Sequence, residues 1–254
     1  MADALQGRHA LVTGGGTGIG LAIARALADH GAQVTITGRR AEPLEQAAAQ
    51  HPGLHPAAMD VTDEDGLRAG IEAAVEARGP VQVCVANAGI AEGRSFTRND
   101  LEFWNRIMET NVTGAFLTVR ECLRSMDGTD WGRVIAVSSI AGLRGLKGGS
   151  AYTASKHAVI GMIRALSEER MGGPITFNAL CPGYVDTPIV TRNTSSIAER
   201  AGISQEAALK VMTDANRHGR LLEPEEVAAA ALWLCLPGSQ SVNGQTIEIA
   251  GGQV

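Results

Sequence analysis

The stretch Ala10-Leu-Val-Thr-Gly-Gly-Gly-Thr-Gly-Ile-Gly20 decides the fold. Residues 10–13 are apolar or β-branched at consecutive positions, as a strand covered on both faces is. They run straight into glycines and then into residues 19–30. There Ile19, Ile23, Ala26 and Leu27 keep one face apolar, and Gly31 stops the helix. Glycine at 14, 18 and 20 permits a tight turn, close approach of the backbone to a pyrophosphate, and close helix–strand contact. The free N–H groups and positive end of the helix then face the phosphates. With a strand before and a helix after, the turn is predicted to hold a dinucleotide through Gly14, Thr17, Gly18, Ile19 and Gly20.

Outward from that turn, strand-length apolar runs recur at 33–37, 54–59, 81–86, 133–138, 176–181 and 246–249. Stretches of helical period lie between them at 63–78, 99–124, 152–170 and 224–236. This alternation predicts an α/β fold: a doubly wound, Rossmann-type parallel sheet in three layers, one domain over 1–254. Residues 188–220 break the rhythm. They are rich in Ser, Thr and Asn, with a helix expected only around 205–213, and read as a small lid insertion over the carboxyl edge of the sheet.

The 254 residues carry a net charge of −5 and 44% hydrophobic side chains. Such a chain buries a full core and has no basic surplus for nucleic acid. Its longest strongly apolar run, residues 227–236, is about half of a membrane span. Asp3 precedes any basic residue, so no secretory signal is expected. The four cysteines lie far apart, as buried thiols in a reducing cytoplasm would. His51 and His55 are separated by Pro52 and Gly53, so no metal site is expected there.

The second strand ends at Gly38, followed by Arg39 and Arg40. An acidic side chain at this point bonds the adenosine 2′-hydroxyl, whereas glycine followed by guanidinium leaves room for a 2′-phosphate and pairs with it. NADP(H) is therefore favoured, with NAD(H) as the other possibility. Asp60 and Val61, after the third strand, are expected to border the adenine.

Tyr152 and Lys156 stand four residues apart on one helix face, just after Ser138 and Ser139. Asn111 lies within an apolar helical stretch. Together Thr13-Gly-x-x-x-Gly-x-Gly20, Asn87-Ala-Gly89, Asn111, Ser139, Tyr152-x-x-x-Lys156 and Pro182-Gly183 with Thr187 make the chain resemble the short-chain dehydrogenase/reductase family. The likeness covers nearly the whole chain. It departs from the family pattern at Ala86, where a second asparagine is common.

The resemblance implies a catalytic set of Asn111, Ser139, Tyr152 and Lys156. Tyr152 would be the general acid/base, Ser139 would polarise the carbonyl, Lys156 would hold the nicotinamide ribose and acidify the phenol, and Asn111 would complete a proton relay through water. It further implies that Asn87, Ala88, Gly89, Pro182, Gly183, Val185 and Thr187 line the cofactor, and that the chain forms a dimer or tetramer. A phenol brought from about 10 to near 7 needs roughly 4 kcal/mol. One ammonium at about 4 Å contributes on the order of 4 kcal/mol at an effective dielectric of about 20.

Residues 91–96 and 143–149 are expected to flank the substrate pocket, with Tyr184 and the lid closing it. Arg94, Arg144 and Lys147 there could attract an anionic substrate. The lid's 198–206 segment resembles 3-hydroxybutyrate dehydrogenases and some polyketide ketoreductases. The function expected is ketone–secondary alcohol interconversion on a small molecule. An NAD-dependent hydroxy-acid or 3-hydroxyacyl dehydrogenase is the alternative, and a non-catalytic dinucleotide-binding regulator the remote one. The apolar residues 247–254 would suit a subunit interface.

Overall fold

The structure, a computed structural model, describes residues 3–253 apart from the side chains of Arg192, Ser196, Ile197, Arg200 and Ala201. Val254, the end of the stretch expected at an interface, lies outside the described residues.

Seven parallel strands form one sheet in the order β3-β2-β1-β4-β5-β6-β7. They are β1 (His9–Thr13), β2 (Gln33–Gly38), β3 (Leu54–Ala58), β4 (Val81–Ala86), β5 (Gly132–Val137), β6 (Ile175–Pro182) and β7 (Thr246–Ile249). The inner strands β1, β5 and β6 are buried along their whole length, which explains their uninterrupted apolar runs. Pro56, which lacks an N–H for the ladder, sits in the edge strand β3.

Helices cover both faces. On one side α1 (Gly18–Asp29), α2 (Ala41–Gln50) and α9 (Pro224–Cys235) pack Ile23, Leu27, Leu44 and Val227 against Val12, Ile36 and Leu180. On the other side α3 (Glu64–Arg78), α5 (Gly114–Met126) and α6 (Ser150–Glu169) pack Leu67, Val119 and Ile160 against Leu11, Cys84 and Ala136. The sheet order reverses between β1 and β4, the switch point outside whose strand ends ligands bind in such folds.

Three elements depart from the expectation. α2 was not anticipated: Pro43 lies in its first turn, where proline is tolerated, and only Leu44 and Ala47 are buried, too few to leave a period. The helix expected over 99–124 is two. α4 (Leu101–Met108) is capped by Asp100, and a π-turn at Glu109–Thr113 joins it to α5. The lid holds two helices instead of one, α7 (Pro188–Ala201) and α8 (Gln205–Ala215), packed on each other. α7 is poor in apolar residues and rests on α8 and on its ends: Pro188 in the first turn and Gly202 in the left-handed region at the close.

Candidate active site

The turn after β1 is built around its glycines. Gly14 and Gly18 adopt φ of 66° and 54°. A Cβ on Gly20 would stand 2.3 Å from the Gly14 carbonyl oxygen, so only hydrogen lets α1 approach β1 this closely. α1 starts with no side-chain cap on Thr17 and no acidic residue in its first turn, so its leading N–H groups keep their demand for an acceptor. Thr13 Oγ1 accepts the backbone N–H groups of Asn87 and Ala88 at 3.0 Å each. Asn87 Nδ2 donates back to the Thr13 carbonyl at 2.8 Å. These bonds lock the end of β4 against the glycine turn across the switch point. A backbone cradle with free donors fits a pyrophosphate.

Arg39 and Arg40 are exposed at the carboxyl end of β2, beside the half-buried Gly38. Neither lines the main cleft. Arg39 lies near enough to Asp60 to favour its carboxylate. Asp60 itself accepts the Thr62 N–H at 3.0 Å and the Thr62 hydroxyl at 2.8 Å, while Asp63 caps α3. Val61 is buried, its side chain turned towards Gly114.

One cleft of about 380 Å³ gathers most of the remaining predicted residues: Ile19, Asn87, Gly89, Ser139, Tyr152 and Lys156, with Pro182, Gly183, Val185 and Thr187 along its far wall. Thr187 also meets the glycine turn, since a Cβ on Gly18 would lie 3.1 Å from its methyl. Ser139, two residues beyond β5, stands beside the Tyr152 phenol, near enough to favour its ionised form. Lys156 Nζ donates to the Val137 carbonyl at 2.9 Å and lies 5.7 Å from the centre of the Tyr152 ring. Ser138 donates to the Lys156 carbonyl at 3.0 Å.

The electrostatics differ from the sequence expectation. Burial pushes the Tyr152 phenol above its ordinary value, and the nearby Ser139 hydroxyl offsets only part of this. The lysine is not among the groups that move it. Lys156 is itself desolvated, which lowers it to about 8. The shared burial disfavours phenolate and ammonium alike and opposes the attraction between them. Cys181, behind Ser139 and Lys156, is raised to about 11 by burial and is inert at neutral pH.

Asn111 falls in the π-turn, a feature that often marks functional sites. Its amide nitrogen donates to the Ile90 carbonyl at 2.9 Å and to Ser155 Oγ at 3.0 Å. Its oxygen accepts the Ile90 N–H at 2.8 Å. Both amide hydrogens are thus engaged, and the side chain is a bracket. Ser155 was missed by the sequence reading. Fully buried, it donates to the Tyr152 carbonyl at 2.7 Å and ties Asn111 to the helix of Tyr152 and Lys156. Its place three residues after Tyr152, on the same helix face, was the available signal.

The segments at 91–95 and 146–149 line the cleft as expected, joined by Arg94 N–H donating to the Gly148 carbonyl at 2.7 Å. The three cations there are unequal. Arg94 pairs with Asp100 at 2.9 Å and covers the Phe103 ring, and Arg144 donates to Gln253 at 2.9 Å. Lys147 is exposed at the mouth and has no ion-pair partner among the described residues. His51 contacts Asp29 and His55 contacts Gln33, away from this cleft. All four cysteines are free and buried, and among the described residues no helix is long and apolar enough to cross a membrane.

A glycine cradle at the switch point, with Ser, Tyr and Lys meeting in one cleft beside it, defines a dinucleotide-dependent oxidoreductase site. The short chain dehydrogenase family model matches residues 8–198, and the chain belongs to that family. It is 36% identical over 249 residues to a granaticin polyketide synthase putative ketoacyl reductase of Streptomyces violaceoruber, covering 96% of this chain and 92% of that one. It is 36% identical over 245 residues to a 3-oxoacyl-acyl-carrier-protein reductase of Mycobacterium tuberculosis, covering 96% and 92%. To a D-beta-hydroxybutyrate dehydrogenase of Cupriavidus necator it is 34% identical over 257 residues, covering 98% and 99%. A crystal structure of an actinorhodin polyketide ketoreductase variant with NADPH superposes with a TM-score of 0.94 at 34% identity, covering 100% of this chain and 99% of that one.

Proposed function

We propose that this chain is an NADP(H)-preferring reductase of small-molecule ketones, giving secondary alcohols, with Tyr152 as the general acid. The observation that carries the reading is the convergence of Ser139, Tyr152 and Lys156 in one cleft with Ile19 at the end of the glycine turn and with Asn87 and Gly89 beside it. Bound NADPH would supply the hydride. Gly14, Thr17, Gly18, Ile19 and Gly20 would hold its pyrophosphate and Arg39, with Arg40, the 2′-phosphate. Asp60 and Val61 would flank the adenine. Asn87, Ala88, Gly89, Pro182, Gly183, Val185 and Thr187 would border the nicotinamide half.

As the ketone oxygen gains charge, the Ser139 hydroxyl donates a hydrogen bond to it and the Tyr152 phenol delivers the proton. A phenol raised by burial stays protonated at neutral pH, which suits the reducing direction. Lys156 keeps a positive charge beside the emerging phenolate below about pH 8. Asn111 and Ser155 hold the catalytic helix and the Ile90 backbone in register. Asn111 would also complete the proton relay through water, its two side-chain amide hydrogens holding it in place on Ile90 and Ser155. The free, buried thiols support a cytoplasmic setting, and the family likeness supports a dimer or tetramer.

The hydroxybutyrate dehydrogenase relative favours a second reading, an NAD-dependent hydroxy-acid dehydrogenase. The exposed Arg39 after Gly38 argues for the first. Steady-state rates on a panel of ketones and hydroxy acids with both cofactors separate them. NADPH is expected to give at least tenfold higher kcat/KM than NADH. Arg39→Ala should remove about one to two powers of ten of that preference, as a charge-assisted phosphate contact of roughly 1.5–3 kcal/mol implies. Tyr152→Phe should lower kcat at least about 100-fold. Better turnover with NADH, or an active Phe variant, overturns the proposal.

A further inference from the structure

Behind the pocket wall at Tyr184 lies a side chain with no part in the chemistry and with every bonding position filled. Asn216, at the end of α8, is 1% exposed. Its Nδ2 donates to the Tyr184 carbonyl at 2.9 Å and to the Arg220 carbonyl at 2.7 Å. Its Oδ1 accepts the Tyr184 N–H at 3.1 Å and Gln253 Nε2 at 2.8 Å. The amide therefore reads both backbone groups of Tyr184, as a neighbouring strand would. Gly183 makes room for it, since a Cβ there would stand 2.7 Å from Asn216 Oδ1.

Gln253 arrives through Gly251 and Gly252, whose φ values of 60° and 81° turn the segment after β7 back onto the lid. Its own Oε1 accepts from Arg144 Nη2 at 2.9 Å. Arg144 lies in the loop between Ser139 and the cleft residues Leu146 and Lys147. Two amides in series thus connect the lid, the wall at Tyr184 and the loop that follows the catalytic serine.

We propose that Asn216 and Gln253 form a clasp that fixes the width of the substrate mouth, making them positioning residues that determine which ketones fit. The inference rests on the reductase reading above. It assigns neither residue a contact with substrate or with the reacting atoms. Tyr184, Leu146 and Lys147 all line the cleft, and a clasp of this kind acts on the KM for bulky ketones while leaving the proton and hydride geometry alone.

The test is Gln253→Ala in the intact protein, because variants at the buried Asn216 risk the fold. The KM for a bulky ketone should rise about five- to tenfold, with kcat and the NADPH Kd within twofold of wild type. Hydrogen–deuterium exchange at the Tyr184 amide should accelerate. Arg144→Ala should raise the same KM, and the double variant should be no worse than the more impaired single one, as for two breaks in one link. Gln253→Glu keeps the partner for Arg144 but cannot donate to Asn216, so exchange at Tyr184 should still accelerate. Unchanged KM in Gln253→Ala, or fully additive effects, overturns the proposal. If exchange responds while wild type reduces no ketone with either cofactor, the clasp stands and the reductase reading falls.

Discussion

Lys156→Met should stabilise the protein at neutral pH while removing its activity. The ammonium is buried, with one hydrogen bond to the Val137 carbonyl at 2.9 Å, and desolvation lowers it from 10.5 to about 8. The fall from 10.5 to about 8 corresponds to roughly 3 kcal/mol of unfavourable charge burial. Methionine removes that cost and fills much the same space, but leaves the Val137 carbonyl without its donor, a loss of about 1 kcal/mol. The net gain expected at pH 7 is about 2 kcal/mol. Because the folded-state value lies below the unfolded one, the lysine's cost is fully present below pH 8 and fades as pH rises towards 10.5. Urea unfolding of both proteins at pH 7 and pH 10, at fixed protein concentration, tests this. The variant should be the more stable at pH 7 and should lose that advantage by pH 10. Equal stability at pH 7, or an advantage independent of pH, would refute the reasoning. A gain of stability with loss of turnover is what a charge kept for function predicts.

His9 predicts an acid limit. Its ring is 1% exposed and lies between the Gly79 carbonyl and Thr35 Oγ1 at 2.8 Å each, and Arg78 Nε donates to the same hydroxyl at 3.1 Å. Burial, the largest influence, lowers it to about 4 from 6.5, so the neutral ring is favoured by the fold. Its contribution is intact above pH 6.5 and is lost as pH falls to about 4, roughly 3 kcal/mol in all. His9→Gln should flatten the stability–pH curve in that window, and an unchanged slope in thermal unfolding would count against it. Gly20→Ala should abolish NADPH binding by fluorescence titration or lower the melting temperature by several degrees. Its methyl cannot stand 2.3 Å from the Gly14 oxygen, and a variant that binds and melts like wild type contradicts that geometry.

What was legible in the chain was what neighbouring residues encode. The glycine turn, the doubly buried strands and the Tyr152–Lys156 face each lie within a few residues, and a parallel sheet follows from the alternation of strands with helices. The π-turn could not be read, because the weak helix formers within Glu109–Thr113 do not tell a widened turn from an ordinary helical one, and the partner of Asn111, Ile90, lies 21 positions away. The rise of the Tyr152 phenol escaped for a related reason: burial belongs to the assembled cleft, and counting charges along one helix omits it. Asn216 has no local signature, since its partners at 184, 220 and 253 meet only in the folded chain.

The five residues of the π-turn also impose phase. Each helical residue advances about 100° around the axis, so one residue more or fewer rotates everything on one side of it relative to the other. Upstream, Phe103 and Ile107 pack on Ala151, beside Tyr152; downstream, α5 packs on the sheet. Both contacts are satisfied at once only with the bulge in place. Point changes at the exposed Glu109 and Thr113 are therefore absorbed locally, whereas Asn111 is held by its bonds to Ile90 and Ser155. A single deletion would turn either the upstream helix away from α6 or the downstream helix away from the strands, so tolerance to indels here should be far lower than tolerance to substitution.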